Sequence, residues 1–301
     1  MRLQVPIKLH GSLWPAAVIL AAGVVAPLGI LAVVSWSLPL DFGGVAWGKF
    51  SPDAYIGLLF ERDFDGVLVF QSDFVRIFLR SVALAGLATT VCLLFALPVA
   101  LHIAGCPPRR KALYLLLITV PFWTCVVVQM YGWITLLADN GLLNQMLNRI
   151  RVVSGPLGVL YTYGATLLGL VYTFLPFMVL PIYAALDDMD WSVVEAALDL
   201  GATGPVALRD VVIPGCRGGI LAGVGLVFVP ALGTYVVSDL LGGNRSMMLG
   251  NLVAFQFSSG HNWPLGAAMA FALLALVLAA LVISRVRLAM NDRIGVRHEF
   301  A

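Results

Sequence analysis

Apolar residues dominate six stretches of the chain, at about 14–36, 79–104, 112–138, 160–186, 217–241 and 263–284. Each holds roughly 22–27 residues, or about 33–40 Å as a helix, which is enough to cross a hydrocarbon layer of about 30 Å with some tilt. The pattern predicts an all-α membrane protein with six transmembrane helices. The stretch from Trp14 to Trp36 is about twice a secretory h-region and lacks a small-x-small cleavage site, so it is expected to remain as the first span. Polar segments separate the spans: an N-terminus at 1–13, a loop at 37–78, a second loop at 187–216 and a tail at 285–301.

Basic residues orient this array. Arg2, Lys8, Arg109, Arg110, Lys111, Arg209, Arg217, Arg285, Arg287, Arg293 and Arg297, eleven of the 18 Lys and Arg, fall on one side of a six-span topology. The positive-inside rule makes that side cytoplasmic and puts both termini there. The opposite side receives 37–78, with Asp41, Asp53, Glu61, Asp63, Asp65 and Asp73. These acids either help to receive a cationic ligand or simply keep a long loop solvated. Prolines 98, 121, 176, 181 and 230 lie inside the spans, where they kink helices. Gly219 and Gly223 form a GxxxG pair that lets a helix approach closely, from this chain or from another subunit.

The loop at 187–216 is the most informative segment. Asp187, Asp188 and Asp190 end the fourth span in water, and Ser192 with Glu195 has capping-box spacing for a helix over Val193–Leu200. Ala196 and Ala197 leave that helix a flat surface, and Gly201 permits a sharp turn. A second short helix is expected over about Pro205–Val212, ending before Pro214. Two short helices joined at a glycine form a compact knob able to pass a push from a soluble partner to the spans.

Glu195-Ala196-Ala197, three residues, Gly201, nine residues, then Val211-x-Ile213-Pro214 resembles the EAA signature of bacterial ABC importer permeases. The chain departs from that family in having Gly218 where a proline often opens the sequence that follows. The resemblance implies a type I ABC importer permease fold in the bacterial inner membrane, with Glu195, Ala196, Ala197, Gly201, Val211, Ile213 and Pro214 forming a coupling loop. It implies as partners two copies of an ATP-binding subunit, a second permease subunit, a periplasmic substrate-binding protein and membrane lipid. Pro121-Phe122-Trp123-Thr124, Leu175-Pro176-Phe177-Met178, Val237-Ser238-Asp239-Leu240 and Asn262-Trp263-Pro264-Leu265-Gly266 are similar to the first permease subunit of spermidine/putrescine importers. Residues about 75–285 carry that likeness.

A polyamine pathway needs oxygen acceptors for ammonium groups and aromatic faces for cation–π contact. Asp239, Tyr235, Trp123, Tyr131 and Gln129 are the candidates. Against them stand ordinary roles: a solvated helix-end carboxylate or a pair with Arg245 for Asp239, and interfacial packing for the aromatics. Relatives of this layout carry other amines, amino-acid derivatives or anions, which stay open as ligands.

Composition fits a membrane protein and narrows the chemistry. The chain of 301 residues is 60% hydrophobic and 11% charged, with mean hydropathy +0.96, against about 25% charged residues in a soluble domain. A net charge of +2 gives no reason to expect nucleic acid. No GxxxxGK[ST] loop is present, so no nucleotide cofactor is expected on this chain, and ATP with magnesium belongs to the partner ATPase. Histidines 10, 102, 261 and 298 are scattered, and Cys92, Cys106, Cys125 and Cys216 form no CxxC, so neither a metal site nor a catalytic residue is expected. The cysteines read as small buried hydrophobes. A secondary transporter, the rival reading, would need carboxylates deep in the spans and inverted repeats. Asp239 is the sole candidate for the first, and no repeat is visible.

Overall fold

The computed structural model describes residues 14–40, 43–62, 68–150 and 155–298. The N-terminal segment 1–13 with Arg2, Lys8 and His10, and Asp41, Asp63 and Asp65, lie outside the described residues. In chain order come α1 (Trp14–Ser35), β1 (Ser37–Pro39), β2 (Val45–Phe50), α2 (Asp53–Ile56), β3 (Phe60–Arg62), β4 (Leu68–Phe70), α3 (Asp73–Ala104), α4 (Pro108–Thr119), α5 (Val126–Leu137) and α6 (Leu142–Arg149). Then follow α7 (Tyr163–Asp187), α8 (Ser192–Asp199), α9 (Gly204–Ala207), α10 (Ile213–Gly215), α11 (Arg217–Gly233), α12 (Val236–Gly242), α13 (Leu249–Phe257) and α14 (Trp263–His298). Among the described residues four stretches are long and apolar enough to cross a membrane: Val18–Ser35, Asp73–Ala104, Val126–Arg149 and Tyr163–Asp187. A bent pair, Gly204–Gly215 with Arg217–Gly233, raises the number to five. The chain divides into two compact bodies, one over 73–252 and one joining the residues up to 72 with those from 253 onward.

In the body over 73–252, α7 packs on both α3 and α11. The α3 face is built from Ser81, Ala85, Ala88, Cys92, Ala96 and Ala100, all fully buried. Their spacing of three or four residues puts them on one side of the helix, and their small side chains bring α7 close. From α7, Leu170, Met178, Val179 and Ile182 fill the contact. The Gly219/Gly223 pair of α11 serves the same purpose within this chain. A Cβ at Gly219 would overlap the Pro181 carbonyl, and one at Gly223 would stand 2.7 Å from Met178 Sδ.

The expected third span, 112–138, is not one helix. It is α4, a 3₁₀ turn Val120–Trp123, an extended Thr124, and α5. Pro121 lacks a backbone donor and interrupts the ladder, and Gln129 repairs the break. Its amide nitrogen donates to Thr124 O at 3.1 Å and Thr124 Oγ1 at 2.7 Å, and lies against Pro121 O. The fifth span also ends sooner than expected: α11 stops at Gly233, Thr234 is extended, and α12 is separate.

The second body contains structure the apolar pattern does not reveal. Within the loop 37–78, β1 pairs with β2 and β3 with β4, both antiparallel. Val34, Val45 and Ala267 form a small core joining the end of α1, the start of β2 and the start of α14. The last helix continues past residue 284 to His298. The cysteines are unpaired. Cys92 and Cys216 are buried as expected, whereas Cys125 is exposed at the break before α5.

Candidate functional site: the exposed loop between α7 and α11

The loop starts from a fixed root. Asp187, the last residue of α7, pairs with Lys111 at 2.7 Å, and the Lys111 ammonium sits 6.0 Å from the Tyr183 ring centre. The hydrogen bond to Asp187 holds the Lys111 pKa above its ordinary value. At the other end Gly215 abuts Met189, whose Sδ would lie 2.9 Å from a Cβ there, so the two ends of the loop meet. Lys111, Met189 and Gly215 carry no sequence signature, because their pairing spans dozens of residues.

Helix α8 stands clear of the core and buries no residue. Its start differs from the expected capping box. Ser192 is already helical, and Asp190 Oδ1 accepts from the Ser192 amide at 3.0 Å. The hydrogen bonds from Ser192 hold the Asp190 carboxyl below its ordinary range. Glu195 and Ala196 are exposed and Ala197 is half-exposed. Val193, Leu198 and Leu200 are exposed as well, Leu200 at 90%, and the spacing puts Val193 and Leu200 on the helix face of Ala196 and Ala197.

Gly201 closes α8 in a Schellman motif. Its amide donates to Leu198 O at 2.9 Å, and the Ala202 amide donates to Ala197 O at 3.0 Å. Its φ is +95°, and a Cβ there would meet nothing within 4 Å. Backbone conformation, not space, is what requires glycine.

The second helix does not end before Pro214. It begins with α9, widens to a π-helix over Leu208–Val212, and continues through Pro214 in α10. A π turn shifts the backbone pairing, which lets the chain accept a proline that would otherwise clash with the carbonyl four residues back. Val211 and Ile213 are half-buried, Pro214 is exposed, and Val212 and Cys216 are buried beneath them. Because α8 packs on α9 and on the π segment, the 195–201 and 211–214 residues belong to one knob. The knob joins α11 through a bend of 69°.

The expected pathway residues lie elsewhere in the same body. Trp123 is 80% exposed in the 3₁₀ turn, and Tyr131 and Tyr235 are also exposed. Asp239 is exposed in the first turn of α12 and accepts a long bond, 3.5 Å, from Asn251 Nδ2 rather than pairing with Arg245. Asn251, absent from the expected set, organises this region. Its Nδ2 also donates to Tyr235 O at 3.2 Å, while its Oδ1 accepts from the Met248 amide at 3.1 Å and lies against Ser238 Oγ. A lone asparagine in the apolar run of α13 is the signal that could have found it. Helices α5, α7 and α12 converge at Gly169, where an added Cβ would overlap Leu241 and lie 2.7 Å from Val237 Cγ1. Gln129 and Tyr131 therefore sit on an element packed against the one carrying Asp239. Among the described residues no side chain of the five bonds directly to another: the Asp239 amide donates to Tyr235 O at 2.8 Å, and Asn251 Nδ2 reaches both Tyr235 O and Asp239 Oδ1. Gln129 uses its amide nitrogen to close the helix break, leaving its carbonyl oxygen as the group it can offer.

This is a multi-pass helical membrane protein with an exposed, rigidly rooted helical knob between two apolar helices. Residues 69–296 match the model of the binding-protein-dependent transport system inner membrane component, and the chain belongs to that family. It is 38% identical over 215 residues to the spermidine/putrescine transport system permease protein PotB of Haemophilus influenzae, covering 71% of this chain and 74% of that one. To the protein of the same description in Escherichia coli K12 it is 36% identical over 222 residues, covering 73% and 81%. Its fold is similar to that in a crystal structure of a bacterial ABC transporter involved in the import of the acidic polysaccharide alginate. The TM-score is 0.64 at 20% identity, over 92% of this chain and 94% of that one.

Proposed function

We propose that this chain is the permease subunit through which spermidine and putrescine cross the bacterial inner membrane in an ATP-driven importer. The observation that carries the coupling role is the knob around Gly201, which presents Glu195, Ala196 and Ala197 beside the exposed Leu198 and Leu200 on a fixed root. An apolar surface on a charged loop suits the groove of a soluble partner. ATP is bound and hydrolysed in two copies of that partner. A second permease subunit completes the passage, and a periplasmic binding protein delivers the ligand. Similarity to the two polyamine permeases supports the ligand class, as does the oxygen and aromatic character of Asp239, Gln129, Trp123, Tyr131 and Tyr235.

In this reading the membrane is crossed six times, with both termini cytoplasmic. The broken α4–α5 unit makes the third crossing, α11 with α12 the fifth, and α14 the sixth. Closure of the ATPases moves the knob, and the bend between α10 and α11 passes that motion to α11 and, through Gly219 and Gly223, to α7. The test is ATP hydrolysis by the complete assembly in lipid, with the cognate binding protein loaded or unloaded. Stimulation by the spermidine- or putrescine-loaded protein, reduced by Asp239→Asn, is expected. Stimulation only by another loaded ligand would overturn the polyamine assignment, and uptake independent of ATP would overturn the coupling role.

A further inference from the structure

Helix α1 has 22 residues, about 33 Å at about 1.5 Å each, close to the thickness of the hydrocarbon layer. Its surface is exposed from Val18 to Ile30 and becomes buried only at Val34 and Ser35. Ser35 therefore stands near the level where the hydrocarbon gives way to headgroups. The β1–β2 hairpin begins two residues later and is fastened to that helix end. The Ser51 amide donates to Trp36 O at 2.7 Å, and Ser37 Oγ to Val33 O at 2.7 Å. Ser35 Oγ meets the Tyr55 hydroxyl at 2.9 Å, and the Trp36 and Tyr55 rings meet with centres 5.4 Å apart, tilted by 50°.

The hairpin is not regular. Ser37 pairs with Phe50 but Leu38 pairs with Ala46, so Trp47, Gly48 and Lys49 are extruded as a bulge. Gly48, at φ +83°, permits the excursion. Trp47 is 70% exposed and Phe50 68%, beside an exposed Lys49. This aromatic patch lies at the root of the hairpin, level with Ser37 and Leu38, and not at its distal turn. A tryptophan and a lysine at the height of a span end are the residues that favour the bilayer interface: the indole sits among the headgroups and the ammonium reaches their phosphates.

We propose that the Trp47–Phe50 bulge is a membrane anchor, seated in the phospholipid headgroup layer at the end of α1 and setting the depth of that helix. The experiment uses the full chain in vesicles of phosphatidylethanolamine and phosphatidylglycerol, with acyl chains brominated near the glycerol. The emission lost in Trp47→Phe isolates the contribution of Trp47, whose exposure makes this exchange harmless to packing. That emission should be quenched strongly by the brominated lipid and little by aqueous iodide. A Phe50→Trp reporter placed in the Trp47→Phe chain should behave alike. Quenching by iodide and not by lipid would overturn the proposal. So would lipid quenching that disappears when the binding protein or the other subunits are added, since a protein would then be the occupant.

Discussion

Replacing Gly201 separates backbone conformation from every other contribution of the coupling knob. Its φ of +95° lies beyond the left-handed helical well, and no atom stands within 4 Å of a Cβ built there. Gly201→Ala therefore introduces no clash and costs only the conformational preference, about 1–2 kcal/mol. That corresponds to a loss of about 5–30-fold in the population of the closed Schellman turn. Asparagine tolerates positive φ and should cost less, whereas a β-branched valine should cost more. The order expected is Asn, then Ala, then Val. It would be read first as hydrogen exchange at the Ala202 amide, whose bond to Ala197 O at 3.0 Å exists only while the turn is closed. The second reading is ATPase stimulation by the loaded binding protein, which should fall in the same order. Thermal stability should change little, because the α3–α7–α11 packing is untouched. Valine and asparagine variants with equal exchange and equal coupling would refute the argument that positive φ is what demands glycine.

Three further outcomes follow from the packing and the charges. Gly223→Leu should push α11 away from Met178 and destabilise the chain by about 1–3 kcal/mol; an unchanged unfolding temperature in detergent would contradict the close approach. Lys111→Asp or Asp187→Lys alone should loosen the root of the knob, and the double exchange should restore it, as read by protease cleavage within 188–200. Because the Lys111 pKa is raised in the folded chain, its contribution is fully present below the unfolded lysine value of about 10.4. It is lost as pH rises through the higher folded value, and cleavage should accelerate there in the wild type but not in Lys111→Met. Asp190 is depressed by Ser192, so its support of α8 is present above about pH 3.9 and is lost as pH falls through its lower folded value. Asp190→Ala should show faster exchange at the first amides of α8 at neutral pH, and a match to wild type there would refute the capping role.

Much of the molecule is written in local chemistry. Long apolar runs such as that of α7 must become membrane helices, since no aqueous core could hold them and their backbone groups have no partner in lipid but themselves. Glu195 to Gly201 reads directly as a helix and its stop, because capping and positive φ involve only neighbouring residues. Pro121 and Pro230 were visible as kinks, but whether a proline bends a helix or ends it depends on what satisfies the freed groups. At the first break that is the Gln129 side chain; beyond the second, Thr234 turns extended and α12 starts anew. Pro214 is instead absorbed by a π turn. The hairpin at 37–50 escaped the pattern because its pairing is short, bulged and held by contacts with α1. The Lys111–Asp187 root and the Met189–Gly215 contact join residues far apart in sequence, and the Asn251 network ties α13 back to α12 across a turn. Their partners are chosen by how the helices that carry them pack, and sequence spacing carries no information about that choice. Local propensity and hydropathy thus determined the helices and the knob, while tertiary packing decided where they break, what fastens them and which polar groups meet.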